Sequence, residues 1–150
     1  MKKIFAVLLA ALVLALGVAG FAEDTTLVVG INAEFAPFEY IGDDGQPAGI
    51  DIDLINAIGE KIGMTIQIEN MSYDAKIPAL ASGKIEAAIS GITITEERKQ
   101  SVLFSDPYYQ ASQKIIVKEG SAIAGEADLA GKKIGVQLGT TGDLYVTDTF

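Results

Sequence analysis

From Leu27 onward the chain alternates short strand-like runs with segments of helical period. That alternation limits it to an α/β fold with a mostly parallel sheet. Leu27 to Ile31 is a β-rich apolar run. Between Ile52 and Ile62 the apolar positions Leu54, Ile55, Ile58 and Ile62 recur at helical spacing. Asp51 suits the N-cap of that helix, and Gly63 the left-handed position that ends it. Met64, Ile66 and Ile68 alternate with polar residues as in a half-buried strand. A short helix is predicted over 74–82, with Pro78 near its first turn and Gly83 at its end. "IEAAIS" reads as a buried strand. A turn at Thr93–Thr95 then opens a helix through Gln100, and "FSDPYY" breaks it. Beyond it, strands are predicted over 112–118 and 133–137, a short helix over 126–130, and a last helix from about Asp143. So small a second unit leaves the faces of a parallel sheet uncovered. Residues 1–150 are therefore expected to be the N-terminal part of a longer protein.

The chemistry open to the chain is narrowed by what it lacks. There is no histidine and no cysteine among its 150 residues, which removes disulfides, Cys/His metal sites and His-dependent triads. A formal net charge of −9 argues against sequence-independent nucleic-acid binding. No metal and no cofactor is expected. Lys2 and Lys3 precede an uncharged run from Ile4 to Ala22, which ends in the small-x-small site Gly20-Phe21-Ala22. Residues 1–22 thus read as a secretory signal peptide. The other reading is an uncleaved anchor, since the run is just long enough to span a bilayer.

Ligands of open α/β sheets sit beyond the carboxyl ends of strands, often at helix N-termini. Two stretches have that form. In "ISGITITEERK", Ile89-Ser90 ends a strand, Gly91 admits a ligand to the backbone, Thr93 offers a hydroxyl and Thr95 can cap the next helix. Arg98 is the single arginine of the chain. A cation in a first helical turn opposes the helix dipole unless it has a partner. A guanidinium can grip a carboxylate with two parallel bonds. Glu96 and Glu97 fit the dipole and need no ligand. In "VQLGTTGDL", a strand again runs into Gly139, Thr140, Thr141 and Gly142, a potential anion-binding nest or simply a helix capped by Thr141 or Asp143. Phe35, Phe38, Tyr40 and Tyr73 read mainly as core, with a loop aromatic also able to wall a pocket. Asp51 and Asp53 read as capping and turn residues.

In order and spacing, "AEFAPFEY", "GIDIDLINAIGEKIG", "IPALASGKIEAAISGITITEERK", "FSDPYY" and "KKIGVQLGTTG" resemble the motifs of bacterial extracellular solute-binding proteins for polar amino acids, which serve ABC importers. The resemblance implies a two-lobe flytrap, with lobe one over 23–112 and the start of lobe two over 113–150. It implies that Arg98 pairs with a ligand α-carboxylate, with Ser90, Gly91 and Thr93 beside it. Thr140 and Thr141 would close from lobe two, and Gln137 would add a side-chain contact. Phe35 and Tyr73 would wall the ligand, and Asn32 would read its side chain. Asn32 stands where members often have Asp, and Lys76 where they are usually apolar. The acid that would hold the α-ammonium is expected beyond Phe150. Implied partners are a free amino acid and the importer's membrane subunits, and the implied location is the periplasm or cell surface. An open half-trap is expected to bind weakly or not at all. Other readings of the resemblance are an enzyme on the same fold, such as a cyclohexadienyl-dehydratase-like protein, or the sensing domain of a membrane receptor.

Overall fold

The computed structural model describes residues 25–150, and the leader expected at 1–22 lies outside them. The α/β expectation holds. Strand β1 (Thr26–Ile31) is the centre of a three-stranded parallel sheet, flanked by β5 (Thr65–Asn70) and β6 (Ala87–Ala88). Thr26 to Ile31 pair in unbroken register with Thr65 to Asn70. A central strand covered on both faces needs a continuous apolar run. Accordingly Val29 and Ile31 are fully buried.

Between β1 and α1 lies a small antiparallel sheet of β2 (Glu34–Phe35), β3 (Glu39–Ile41) and β4 (Pro47–Ala48). Helix α1 (Ile50–Ile62) packs Ile52 and Ile55 against Val29, Ile31 and Ile89. Gly63 ends α1 at φ 74, as expected. Its start differs from expectation. The N-cap is Gly49 at φ 122, and a Cβ there would lie 2.4 Å from the Phe38 carbonyl oxygen. Only glycine tolerates that turn, so the helix begins before Asp51 and carries that carboxylate inside its first turn.

The segment after β5 forms one 3₁₀ turn (Tyr73–Ala75) and then α2 (Lys76–Ala81), close to the predicted helix. The predicted helix through Gln100 is a single 3₁₀ turn, Arg98–Gln100. Likewise the helix predicted over 126–130 is the 3₁₀ turn Glu126–Asp128. No strand forms over 112–118 or 133–137. Those runs find no neighbouring strand to take their backbone groups, and Ile116 is 93% exposed. Helix α3 (Thr141–Thr149) is capped by Thr140, whose Oγ1 accepts the Asp143 N–H at 3.2 Å. The cap is thus one residue before Thr141 and three before Asp143, the two candidates.

Candidate functional site

The carboxyl ends of β1 and β6 carry three of the predicted residues, Asn32, Ser90 and Gly91. β1 runs into Asn32, and β6 runs through Ile89 into Ser90 and Gly91. Asn32, Ser90 and Arg98 are all buried. Gly91 turns the chain at φ 53, and the Phe35 ring lies 3.4 Å from where a Cβ would be.

Arg98 is not a surface residue. Its backbone N–H donates to Thr95 Oγ1 at 3.2 Å, which fixes the turn. Its Nη1 donates to the Thr93 carbonyl at 2.7 Å and its Nη2 to the Gly139 carbonyl at 2.8 Å. Its Cζ lies 5.9 Å from the centre of the Tyr73 ring. A guanidinium has five donors, and these carbonyl bonds use two of them. Glu96 instead pairs with Lys99 at 2.8 Å in solvent, an arrangement that contributes little.

Beside this turn is a cleft of about 460 Å³ lined by Asn32, Glu34, Asn70, Met71, Ser72, Tyr73, Asp74, Gln137 and Leu138. Of the predicted residues Asn32, Tyr73 and Gln137 line it, whereas Ser90, Gly91, Thr93, Arg98, Thr140 and Thr141 do not. Gln137 Nε2 donates to Asn32 Oδ1 at 2.7 Å across 105 residues of sequence. Phe35 lies outside the lining, 53% exposed and stacked on Phe38 at 5.4 Å. The core reading of Phe35 and Tyr40 is thereby corrected: both are exposed, on the separate antiparallel sheet that β2 and β3 form.

At the Gly139 turn the helix-start alternative is the one that forms. The nest there already holds an anion from the chain: the Gly139 N–H donates to Asp143 Oδ2 at 2.8 Å. Thr140 Oγ1 donates to the Gln137 carbonyl at 2.7 Å, and Thr141 Oγ1 accepts from Gln113 Nε2 at 2.9 Å. Helix-start geometry, with an acid two residues into the first turn, supplies that internal occupant.

Three buried ionisable groups were missed or misread. Asp51 is fully buried, and its carboxylate takes the Gly91 N–H at 3.1 Å and the Tyr108 hydroxyl at 3.0 Å. It is a clamp on the turn, not a cap. Burial raises its pKa and, with the Asp51 charge, also raises that of Tyr108. The signal was present, since Asp51 lies four residues before Ile55, on the helix face that is buried. Glu39 accepts from Ser90 Oγ and from the Asn32 N–H at 3.2 Å. Burial pushes its carboxyl up to about 7, against the pull of those bonds and of Lys76. Nothing periodic in "PFEY" marks it. Lys76 has no exposed surface, and its Nζ, without a hydrogen-bond partner, sits 4.3 Å from the Tyr73 ring centre. Burial lowers its pKa to about 8.

This arrangement, a buried guanidinium at a glycine turn beside a polar cleft, can hold a small molecule with an anionic head and a polar tail. The sequence model for bacterial extracellular solute-binding proteins, family 3, matches residues 27–142. The chain belongs to this family. Among its solute-binding relatives is the L-arginine-binding protein of Pseudomonas aeruginosa, 42% identical over 149 residues, covering 98% of this chain and 57% of that protein. An ancestral arginine-binding protein bound to arginine is similar in structure, with a TM-score of 0.80, 50% identity, and coverage of 83% of this chain and 55% of the other. A point mutant of domain 1 from TmArgBP, in its arginine-bound form, matches at a TM-score of 0.56 and 46% identity, over 58% of this chain and 67% of that one. The two-lobe binding-protein fold is thus the fold of this chain's relatives, as the resemblance implied. The chain spans about half the length of the curated relatives it matches. Among the described residues, no helix is long and apolar enough to cross a membrane.

Proposed function

We propose that the chain captures a polar amino acid outside the cytoplasmic membrane and delivers it to an ABC importer. The observation that carries this reading is Arg98. It is buried at the glycine turn beside the cleft, and its guanidinium is oriented by the carbonyls of Thr93 and Gly139. In this reading it holds the α-carboxylate, with Ser90, Gly91 and Thr93 around it. Tyr73 and Phe35 wall the ligand. Asn32 and Gln137 read its side chain, and Thr140 and Thr141 close from the second lobe. Lobe one spans 23–112 and lobe two begins at 113, after a leader over 1–22. Closure is favoured to the extent that the ligand binds the closed form better.

The protein is read as a binder and not an enzyme, a reading supported by relatives named for binding. Glu34 and Asp74 in the cleft lining suit a side chain rich in donors, and arginine is the ligand of several relatives. Of the two outcomes expected of an open half-trap, weak binding or none, the arginine-bound domain 1 of TmArgBP favours the first. A thermal-shift screen of the twenty amino acids on the intact protein tests the proposal, since a ligand of the native state raises apparent stability. One or a few polar amino acids are expected to raise the Tm. A flat screen, confirmed by calorimetry, would refute it.

A further inference from the structure

Tyr73 lines the cleft, whereas Lys76 does not line it and has no exposed surface. The ring therefore borders the cleft and also meets the buried Lys76 ammonium, which does not reach the cleft. The ammonium lies 4.3 Å from the ring centre and the Arg98 guanidinium 5.9 Å from it. Both fall within the range at which a cation engages an aromatic quadrupole. Tyr73 is thus a wall already engaged by two cations of the chain itself.

A buried ammonium with no hydrogen-bond partner is costly, and such groups seldom persist where packing alone is at stake. Methionine fills the same length without a charge. The carboxylates that face Lys76 are Glu39, Asp74 and Glu34, and their charges favour its protonated form against desolvation. With its pKa at about 8, Lys76 is charged at neutral pH. A positive side chain laid on Tyr73 would gain less from a ring already engaged by Lys76, and would meet its like charge nearby. A neutral planar group of the same shape would not. Glu34 and Asp74, in the cleft lining, act in the opposite direction and attract a cation.

Resting on the proposed amino-acid-binding function, we propose that Lys76 is a specificity-determining residue, whose buried charge against Tyr73 weakens cationic side chains relative to neutral isosteres. Lys76 thereby offsets part of the pull that Glu34 and Asp74 exert on a cationic side chain.

The test uses calorimetry on the intact protein at pH 7 with L-arginine and L-citrulline, which differ in side-chain charge and little in shape. Wild type is compared with Lys76→Met and with Lys76→Gln, the second serving if the first fails to fold. Two unit charges on one ring, at the effective dielectric of a protein site, correspond to about tenfold in affinity or more. Arginine affinity is therefore expected to rise about tenfold in either variant, with citrulline within about twofold of wild type. Parallel shifts for both ligands would mean that Lys76 only supports the fold, and would overturn the inference. Selective weakening of arginine would overturn it as well. Wild type that binds neither ligand, nor any amino acid in the screen, would overturn the proposed function itself. Binding of both ligands with an unchanged ratio in the variants would overturn this inference alone.

Discussion

The Nη2 of Arg98 donates to the carbonyl oxygen of Gly139 at 2.8 Å, a residue 41 positions further along the chain. With the Thr93 carbonyl on Nη1, the guanidinium is held in plane by two backbone acceptors from different parts of the chain. An ammonium cannot span both in that fork geometry. An arginine fixed in this way loses little freedom when a carboxylate arrives.

Removing it should therefore be severe. Arg98→Ala is expected to cost on the order of 2–5 kcal/mol of amino-acid affinity, the loss typical of a buried charge pair deprived of one partner. Arg98→Lys should recover little of that. Calorimetry on the intact protein checks both, and near-native affinity in Arg98→Ala would remove its role as anchor.

Asp51 supports the same turn from behind. One carboxylate oxygen takes the Gly91 N–H and the other the Tyr108 hydroxyl. In Asp51→Asn one of those acceptors becomes a donor, and a buried N–H or O–H is left facing it. The cost is about 1–3 kcal/mol, read as a lowered Tm. Tyr108→Phe removes only the second bond and should cost less. Equal stability of wild type and Asp51→Asn would show that the clamp contributes nothing.

The sequence revealed those features that repeat. The apolar run of β1 and the helical spacing of Leu54, Ile55, Ile58 and Ile62 specify a buried strand and a helix, and both form, but the helix packs through Ile52 and Ile55 and leaves Ile58 and Ile62 exposed. The apolar runs over 112–118 and 133–137 also have the pattern of strands, yet strand formation needs a partner that local sequence does not encode. Arg98 could be picked out by its place after a Gly-Thr turn, but its burial depends on Gly139, far along the chain. Asp51 was misread because the strained Gly49 moves the helix start by two residues, which no propensity rule foresees. Glu39 sits in a short ribbon with no period to betray it. Lys76 stood out as a departure from the family pattern, while its lack of a partner and its place against Tyr73 required coordinates.

Glu39 and Lys76 give stability a pH dependence of definite sign. The Glu39 pKa rises from 4.5 to about 7 in the fold, so the native state holds its proton more tightly. Stability from this group is therefore full below about pH 4.5 and is lost as pH rises toward 7. The Lys76 pKa falls from 10.5 to about 8, so the native state gives up that proton first. Stability lost to its buried charge is regained as pH rises from 8 to 10.5. Urea unfolding from pH 4 to 10.5 should show the fall weakened in Glu39→Gln and the rise absent in Lys76→Met. Curves for the two variants parallel to wild type would refute the assignment.

Asn32 is the position at which charge could be added back to the cleft. It is 6% exposed, accepts from Gln137 at 2.7 Å, and its backbone N–H already rests on Glu39. Asn32→Asp keeps the acceptor for Gln137 while placing a second carboxyl near Glu39. Two effects should separate. Affinity for arginine over citrulline is expected to rise by roughly tenfold, from a new charge acting at low effective dielectric. The Tm of the free protein is expected to fall by several degrees, because a buried carboxylate costs more than the amide it replaces. Bound arginine should restore much of that loss by supplying the missing counter-charge. An unchanged arginine-to-citrulline ratio, with the predicted drop in Tm, would place the ligand side chain away from Asn32 and shift its recognition to Glu34 and Asp74.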